Sequence, residues 1–426
     1  MASEKMHTGK VRVPPSQSRW VVVASLATIS FIIGGSSSVA IGILINRWMI
    51  ELGWPNGLTS SIATGFTLAV VFVAPGVGVA LDKLGARPVM TFGVLAASTG
   101  FLMVSRCHTP YGMLAAFVLA GIGCCASFSV PSAVVVTNWM ESQKSLGMGI
   151  VLGATSVGAA LFSVLIGRWS EAYGWRVTME LIAALVAAMI PFTLLTVRTR
   201  PQRHPKSCDH ASEHSDTGRG RRDLLLSATF IIATASSALF AIAMSGIYFH
   251  VVSVLIKAGY SAYLAGLVFG ATWLLSALGS LMLGVIAERL GAKTTLAGAL
   301  FSCALGTLFL VGAGGARIGV ACVVAFIVLW GTSANSVAQF VPVIFVERFG
   351  SQHLGTLIGV QFAIMGVAGA SAPVVTGLLY DKFADYRPAI YLSTSTAFLA
   401  FVLVLLINVC TCESGASILR KSRATT

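Results

Sequence analysis

The sequence predicts an all-α integral membrane protein in which twelve transmembrane helices form two pseudo-symmetric six-helix bundles. Its 426 residues are 56% hydrophobic and only 10% charged, and the mean hydropathy is +0.86. A soluble domain carries about 25% charged residues, so lipid must cover most of this surface. Apolar runs long enough to cross about 30 Å of hydrocarbon recur along the chain. A transmembrane β-barrel is excluded, because its strands alternate apolar and polar positions in segments of about ten residues.

Twelve apolar runs give the predicted spans, and an even number places both termini on one side of the membrane. The tails and loops on that side hold 20 of the 28 Lys and Arg residues, against 8 on the other side. The positive-inside rule therefore predicts that both termini are cytoplasmic, in a multi-pass protein of the plasma or inner membrane. The runs are 20–45, 57–81, 88–105, 111–137, 146–167, 177–197, 224–256, 262–287, 294–313, 318–346, 354–380 and 389–409.

The longest internal polar stretch, residues 198–223, divides the spans six and six. It carries seven basic residues, two prolines and two glycines without a hydrophobic period, which predicts a flexible cytoplasmic linker. His204, His210, His214 and Cys208 lie in it, but solvated side chains are favoured over a metal site in so polar a segment. The predicted organisation is a tail at 1–19, bundles at 20–197 and 224–409 around this linker, and a tail at 410–426.

An internal repeat relates the two halves of the chain. One pattern follows the second span and recurs after the eighth at a constant offset of 206 residues, and another follows the fifth and eleventh spans at an offset of 210 to 211. A duplicated six-helix unit with both copies in the same orientation is typical of large alternating-access carriers. The first pattern is Gly78, Asp82, Lys83, Gly85 and Arg87, repeated as Gly284, Glu288, Arg289, Gly291 and Lys293; the second is Gly167, Glu171, Tyr173, Trp175 and Arg176, repeated as Gly377, Asp381, Phe383, Tyr386 and Arg387.

The first pattern predicts a contact between helices at one membrane surface. An acid at a helix end, followed by a glycine turn and a base, can form a charge-assisted contact that holds two helices together. The stretch from Gly78 to Arg87 resembles the signature loop of the major facilitator superfamily, in which this loop helps to close the cytoplasmic gate. For Lys83, the alternative is that it only anchors the loop at the lipid interface. The predicted gate residues are Asp82, Lys83, Arg87, Glu288, Arg289 and Lys293.

Within that superfamily, the N-terminal half is similar to the monocarboxylate and oxalate/formate porters. The similar stretches are Trp20-Val-Val-Val, Glu51-Leu-Gly-Trp54, Ala74-Pro75-Gly76, Asn138-Trp139 and Gly174-Trp175-Arg176. The C-terminal half resembles the group mainly through its second signature loop. The resemblance implies transport of lactate, pyruvate or other small carboxylates, commonly with a proton or in exchange for a second carboxylate.

The sequence departs from this group at the residues that bind the carboxylate. Members place basic residues in the first, eighth or eleventh spans. Here the matching stretch of the first span, Gly34–Gly42, has no basic residue, and Ser280 and Gln361 lie near the corresponding positions of the eighth and eleventh spans. Either neutral donors and helix ends hold the anion, or the substrate is not a simple carboxylate.

His250 is the candidate for proton coupling, because a buried ionisable group in a span usually marks function. The alternative is a histidine near the outer end of a long helix with a backbone or Tyr partner. Tyr248 is a competing candidate for contact with substrate. Two residues correspond to about 200° on a helix, so the two side chains cannot share a face unless Gly246 breaks the helix.

Neutral polar residues supply the remaining candidates for the substrate site. Thr332, Asn335 and Gln339 are spaced three and four apart, which predicts one polar face on the tenth span. For each Ser and Thr, the alternative is that the side chain only packs between helices. For Asn335, Gln339 and Gln361, a position in the substrate pocket is the favoured interpretation. The predicted substrate-binding residues are Asn335, Gln339, Gln361, Tyr248 and Ser280.

The predicted function is a secondary carrier that moves a small organic anion of the monocarboxylate type by alternating access, with proton symport. A carboxylate exchanger, a carrier of a neutral small molecule and a transporter-derived sensor are the alternatives. No G-x-x-x-x-G-K-[ST] motif supports ATP-driven transport, and no catalytic or metal-binding cluster indicates an enzyme or a cofactor. The Lys and Arg residues behind the net charge of +13 lie at the ends of the apolar runs and in loops, which favours contact with membrane lipid over nucleic acid. The oligomeric state is not predicted.

Overall fold

The computed structural model describes residues 16–54, 56–140, 143–197, 221–315, 318–351 and 353–407, and within these ranges the regular structure is helical. Most of the two predicted tails and of the linker, including His204, His210, His214 and Cys208, lies outside the described residues.

The described residues of the first half of the chain form eight α-helices, because the first, fourth and sixth spans are interrupted and the fifth and sixth share one helical stretch. A π-helical turn at Ser30–Gly34 joins the two parts of the first span, and another at Cys125–Ser129 joins the two parts of the fourth. The second turn precedes Pro131, which has no N–H to donate, so the normal helical hydrogen-bond pattern cannot continue there. The helices are α1 (Ser16–Ile29), α2 (Gly35–Leu52), α3 (Asn56–Leu84), α4 (Ala86–Arg106), α5 (Pro110–Cys124), α6 (Val130–Trp139), α7 (Lys144–Ala187) and α8 (Met189–Thr196).

Helix α7 contains two spans in one helical stretch. A straight helix of its 44 residues would be about 66 Å long, roughly twice the hydrocarbon thickness. Gly174 breaks it with φ 80° and ψ 165°, a conformation that glycine adopts without a steric penalty. The described residues contain 11 continuous helical stretches that are long and apolar enough to cross a membrane, and dividing Lys144–Thr196 at Gly174 gives the twelve predicted spans.

The second half contains nine helices, and its seventh and tenth spans are interrupted. They are α9 (Arg221–Leu225), α10 (Ala228–Tyr248), α11 (Val251–Lys257), α12 (Ala262–Leu290), α13 (Ala292–Phe309), α14 (Gly319–Ser333), α15 (Ser336–Phe349), α16 (Leu354–Phe383) and α17 (Arg387–Leu405).

The internal repeat is visible in the backbone as well as in the sequence. Residues with positive φ recur at helix ends in both halves. The two members of each pair are 206 or 210 residues apart, the offsets predicted from the sequence. The pairs are Gly53 with Gly259, Gly85 with Gly291, and Gln143 with His353, with φ values of 66° and 98°, 82° and 87°, and 62° and 58°.

Two helix pairs join the halves of the molecule. We call the packing of α3 on α16 the first seam and that of α7 on α12 the second seam. At both seams the backbones touch where glycines replace side chains: a Cβ at Gly359 would overlap the carbonyl oxygen of Ala74, and a Cβ at Gly149 would overlap that of Ser280. These contacts lie toward the α3–α4 and α12–α13 loops. We call this the signature-loop side and the opposite one the far side, and the sequence predicts that the signature-loop side is cytoplasmic.

The seam helices diverge toward the far side. Three glycines that contact the other bundle on the signature-loop side each have a second glycine 18 residues away, about five helical turns, on the same helix face. At each second glycine, no atom of the described residues lies within 4 Å of where a Cβ would be. The bundles are thus in contact on one side and apart on the other. The contact and open glycines are Gly149 and Gly167 on α7, Gly284 and Gly266 on α12, and Gly359 and Gly377 on α16.

Candidate functional site

Asp82 closes the first seam by binding the N-terminus of α16 in the opposite bundle. Its Oδ1 accepts a hydrogen bond from the N–H of Gly355 at 2.9 Å, and its Oδ2 accepts from the N–H of Thr356 at 2.9 Å and from its hydroxyl at 2.7 Å. The first N–H groups of a helix have no partner within the helix, and the helix dipole favours an anion there. The carboxylate therefore holds the two halves together on the signature-loop side.

Glu288 makes the equivalent contact at the second seam. Its Oε1 accepts from the N–H groups of Ser145 and Leu146, at the start of α7, at 3.0 and 3.3 Å. Both signature acids thus bind helix N-termini of the opposite bundle.

The basic gate candidates lie at the same membrane surface. Lys293 Nζ donates to the carbonyl oxygen of Leu405 at the end of α17, at 2.9 Å. Lys83, Arg87 and Arg289 are exposed on the signature-loop side. A gate function for these residues stays a prediction.

Asn335 lies between the bundles, in the break of the tenth span that separates α14 from α15. Its Nδ2 lies 2.9 Å from Ser280 Oγ, 3.0 Å from Ser276 Oγ and 3.2 Å from Ser156 Oγ. Ser156 is on α7 and the other two serines are on α12, so one amide contacts both sides of the second seam. We call these four residues the amide–serine cluster.

The serine hydrogen bonds determine which way the Asn335 amide points. The single hydroxyl proton of Ser280 is donated to the carbonyl oxygen of Ser276 at 2.8 Å, so Ser280 Oγ accepts from Asn335. The NH2 group of Asn335 must therefore face the serines. Its Oδ1 is left as an accessible acceptor without a partner among the described residues.

The break at Asn335 interrupts the tenth span, but Asn335 and Gln339 still face the same side. The carbonyl oxygen of Asn335 accepts from the N–H of Gln339 at 2.9 Å, and both side chains contact Ser280. Thr332, Asn335 and Gln339 do not lie on one continuous helix, because α14 ends at Ser333 and α15 begins at Ser336. Thr332 donates to Val328 in its own helix at 2.7 Å. Sequence spacing assumed an unbroken helix, and no proline or glycine at the break signalled otherwise.

Gln339 joins the bundles beneath the amide–serine cluster. Its buried Nε2 donates to the carbonyl oxygens of Ser280 at 2.8 Å and Ser145 at 3.0 Å, on α12 and α7. Gln361 is also buried, and its Nε2 lies 3.8 Å from Met365 Sδ on the same helix. The amide oxygens of both glutamines are buried without a partner among the described residues. Substrate contact for either remains a prediction.

Tyr248 belongs to a group of aromatic rings beside the cluster. Its ring packs against Phe269 and Trp273 of α12, with centroids 5.2 and 5.8 Å apart. Phe269 and Trp273 share a face of α12 with Ser276 and Ser280, because the four residues are spaced four, three and four apart. The aromatic rings therefore continue the amide–serine cluster toward the far side.

His250 has a partner in the backbone of α16. Its Nε2 lies 3.2 Å from the carbonyl oxygen of Pro373, and its ring lies 5.9 Å from that of Tyr386. The seventh span breaks between Tyr248 and Val251, after rather than at Gly246. This geometry matches the backbone or Tyr partner considered as the alternative for His250, and its part in proton coupling stays a prediction.

Two basic residues stabilise the far ends of the bundles and were missed as contacts in the sequence. Arg47 of α2 donates to the carbonyl oxygen of Ser170 on α7, and Lys257 of α11 donates to that of Ala384 after α16. Both cations sit at the carbonyl end of a helix, where the helix dipole favours positive charge. The only sign of these contacts in the sequence was that Arg47 and Lys257 occupy equivalent positions in the repeat.

Comparison with known proteins identifies the family. Residues 26–361 match the model of the Major Facilitator Superfamily. An MFS-type transporter of Gibberella moniliformis is 23% identical over 325 residues, 76% of each chain. Monocarboxylate transporter 12 of Mus musculus is 22% identical over 357 residues, 75% of this chain and 71% of that protein. The solved proton:xylose symporter XylE superposes with a TM-score of 0.73 at 12% identity, covering 92% of this chain and 96% of that one. Matched over most of its length by the family model, and folded as the solved members are, the chain belongs to the Major Facilitator Superfamily of membrane transporters.

Proposed function

We propose that the protein is a secondary carrier of small organic acids of the monocarboxylate type, coupled to a proton, in the plasma or inner membrane. The observation that carries the proposal is the arrangement of the two bundles. They touch on the signature-loop side, diverge on the far side and enclose polar and aromatic side chains between them. A carrier needs such a site, accessible from one side at a time.

The substrate class is supported by similarity to monocarboxylate transporters 12 and 14. Monocarboxylate transporter 14 of Mus musculus is 29% identical over 170 residues, only 39% of this chain. Carboxylate exchange remains the first alternative. The second alternative, a neutral substrate, is favoured by Ser280 and Gln361, which occupy positions where members of the group carry basic residues.

Flux through purified protein in liposomes tests the proposal. A pH step that makes the outside more acidic than the inside should accelerate uptake of labelled lactate or pyruvate above the rate in protein-free liposomes. Uptake that requires an internal carboxylate and ignores the pH step would assign exchange instead. Binding of the acids without flux would contradict transport and favour a sensor.

The proton has two possible carriers, a side chain such as His250 or the substrate itself. If His250 carries it, His250→Gln should abolish uptake driven by the pH step and leave exchange between two substrate pools intact. His108→Gln is the matched control, because His108 is an exposed histidine in the α4–α5 loop. Equal loss of both activities in His250→Gln would assign this residue to structure or binding.

A further inference from the structure

The amide–serine cluster lies far from the charged side chains of the helices around it. On α7, the nearest charged residues are Lys144 and Arg168, each twelve residues from Ser156, or about 18 Å along the helix. On α12, Glu288 is eight residues from Ser280, or about 12 Å. On α15, Glu347 is twelve residues from Asn335. Along these helices, the described residues therefore place no cation next to the cluster that could pair with a bound anion.

The other helices packed near the cluster follow the same pattern. Helices α6, α10 and α14 contain no charged residue, and those on α13 and α16 lie at helix ends. The remaining charged residues are Glu171, Arg176 and Glu180 on α7, Arg289 on α12, Lys293 on α13, Arg348 on α15, and Asp381 and Lys382 on α16. The other titratable residues on or beside these helices are Tyr173, Tyr248, His250, Tyr263, Cys303, Cys322, His353 and Tyr380.

The accessible polar atom of the cluster accepts hydrogen bonds rather than donating them. The Asn335 NH2 group is committed to the serines, and Oδ1 is free to accept. A carboxylate group has only acceptor atoms, so it cannot bond to Oδ1, and the neutral O–H of Tyr248 and N–H of Trp273 beside the cluster do not compensate its charge, which disfavours burial of the anion. A protonated carboxylic acid has the missing donor, and it has no charge to compensate.

We propose that this site binds the neutral form of a carboxylic acid, with the acid O–H donating to Asn335 Oδ1 and the carbon chain against Trp273 and Phe269. The inference rests on the proposed function and specifies how the proton crosses. On one side a carboxylate and one proton combine to give the neutral acid. The acid crosses with its O–H bond intact and releases the same proton on the other side. One proton accompanies each acid without net charge transfer, and no side chain changes its protonation state.

Binding to the purified full-length protein at several pH values tests this inference. Lactate and lactamide are the probes, because lactamide has the same size, donates N–H bonds and stays neutral. Above the pKa of the acid, each pH unit lowers the neutral fraction about tenfold, so the apparent Kd for total lactate should rise about tenfold per unit. The Kd for lactamide should stay constant and thereby control for pH effects on the protein.

The possible outcomes separate this inference from the proposed function. Lactate that binds and is transported with a pH-independent Kd would overturn the neutral-acid inference and leave the carrier proposal intact. Failure of lactate, pyruvate and lactamide to bind at any pH would overturn both. Loss of pH-driven uptake in His250→Gln with exchange preserved would also overturn the inference, because the proton would then travel on the protein.

Asn335→Ala tests the acceptor directly. It should weaken binding of both lactamide and low-pH lactate by about tenfold, the effect of one hydrogen bond of roughly 1.4 kcal/mol. Ser395→Ala is the control, because its exposed hydroxyl bonds only to Tyr391 of its own helix. Unchanged binding in Asn335→Ala would contradict the inference. The pH comparison uses the native chain, so it decides the question even if Asn335→Ala does not fold.

Discussion

The first and second seams occupy equivalent positions in the repeat but are held together differently. At the first seam, both oxygens of Asp82 accept hydrogen bonds, three in all, at 2.7 to 2.9 Å. At the second, one oxygen of Glu288 accepts two at 3.0 and 3.3 Å, and neutral bonds from Gln339 and Asn335 cross the same interface. Backbone contact through glycine is common to both.

This difference indicates separate roles for two related interfaces. The first seam is closed at the membrane surface by a single carboxylate. The second is held by several neutral bonds that extend inward to the amide–serine cluster, where we propose that substrate binds. A ligand at Asn335 therefore touches the second seam directly and reaches the first only through movement of the whole bundle.

The largest effect is expected from the contact that the seams share. Gly359→Ala and Gly149→Ala each place a Cβ against a backbone carbonyl, which cannot move aside as a side chain can. Overpacking costs about 1 to 3 kcal/mol, so either variant should shift the equilibrium roughly tenfold to a hundredfold toward opening of the signature-loop side. Faster hydrogen exchange at Gly355–Thr356 and Ser145–Leu146 would report it.

Gly377→Ala is the matched control for Gly359→Ala, since it lies about five turns away on the same face of α16, where no described atom is within 4 Å. In Gly377→Ala, the hydrogen-exchange rates of the Gly355–Thr356 and Ser145–Leu146 amides should equal those of the native protein. Equal effects of Gly377→Ala and Gly359→Ala would contradict the closed and open ends assigned to the seams.

The next largest effect should come from Asp82→Asn. This change removes the charge, and the NH2 group of asparagine cannot accept a bond from whichever of Gly355 and Thr356 it faces, so about 1.5 to 3 kcal/mol of charge-assisted bonding is weakened. Transport should slow about tenfold with little change in substrate affinity, and the Thr356 amide should exchange faster. Asp381→Asn, on an exposed acid at the far end of α16, is the control. An unchanged transport rate in Asp82→Asn would remove Asp82 from the gate.

A smaller effect is expected from Gln339→Leu at the second seam. The variant loses two donated bonds across the interface, but it also removes an amide oxygen that is buried without a partner among the described residues. Because these effects oppose each other, the net loss should be about 0.5 to 1 kcal/mol. Exchange at Ser145–Leu146 should rise about threefold while Gly355–Thr356 stays unchanged. A larger change at the first seam would show that the seams do not act separately.

The smallest effect should be that of Glu288→Gln. Glu288 is exposed, and glutamine retains an oxygen that can accept from Ser145 and Leu146. Only the charge at the helix N-terminus is lost, about 0.3 to 1 kcal/mol. Transport should slow by less than about threefold. Glu51→Gln, on an exposed acid of α2 outside the predicted gate, is the control. A loss as large as that of Asp82→Asn would show that the two acids are equivalent and that the contrast between the seams is wrong.

Several features of the site were predictable from the sequence because they depend on local pattern. The repeat identified Asp82 and Glu288 as equivalent acids, and Asn335 stood out as an amide within an apolar span. Their partners were not predictable. Gly355 follows Asp82 by 273 residues and Ser145 precedes Glu288 by 143, and nothing local distinguishes either as the residue that the acid binds.

Hydrophobicity and periodicity by themselves determined the membrane class and the duplication and predicted twelve spans, because each span must satisfy its own backbone and bury its own apolar surface in lipid. Only the tertiary structure decided which helix N-termini the acids bind, which way the Asn335 amide points and on which side the bundles meet. Those properties arise from distances between segments far apart in the chain, and a one-turn shift between α7 and α12 would change the partners of Glu288 and Asn335 without altering a residue.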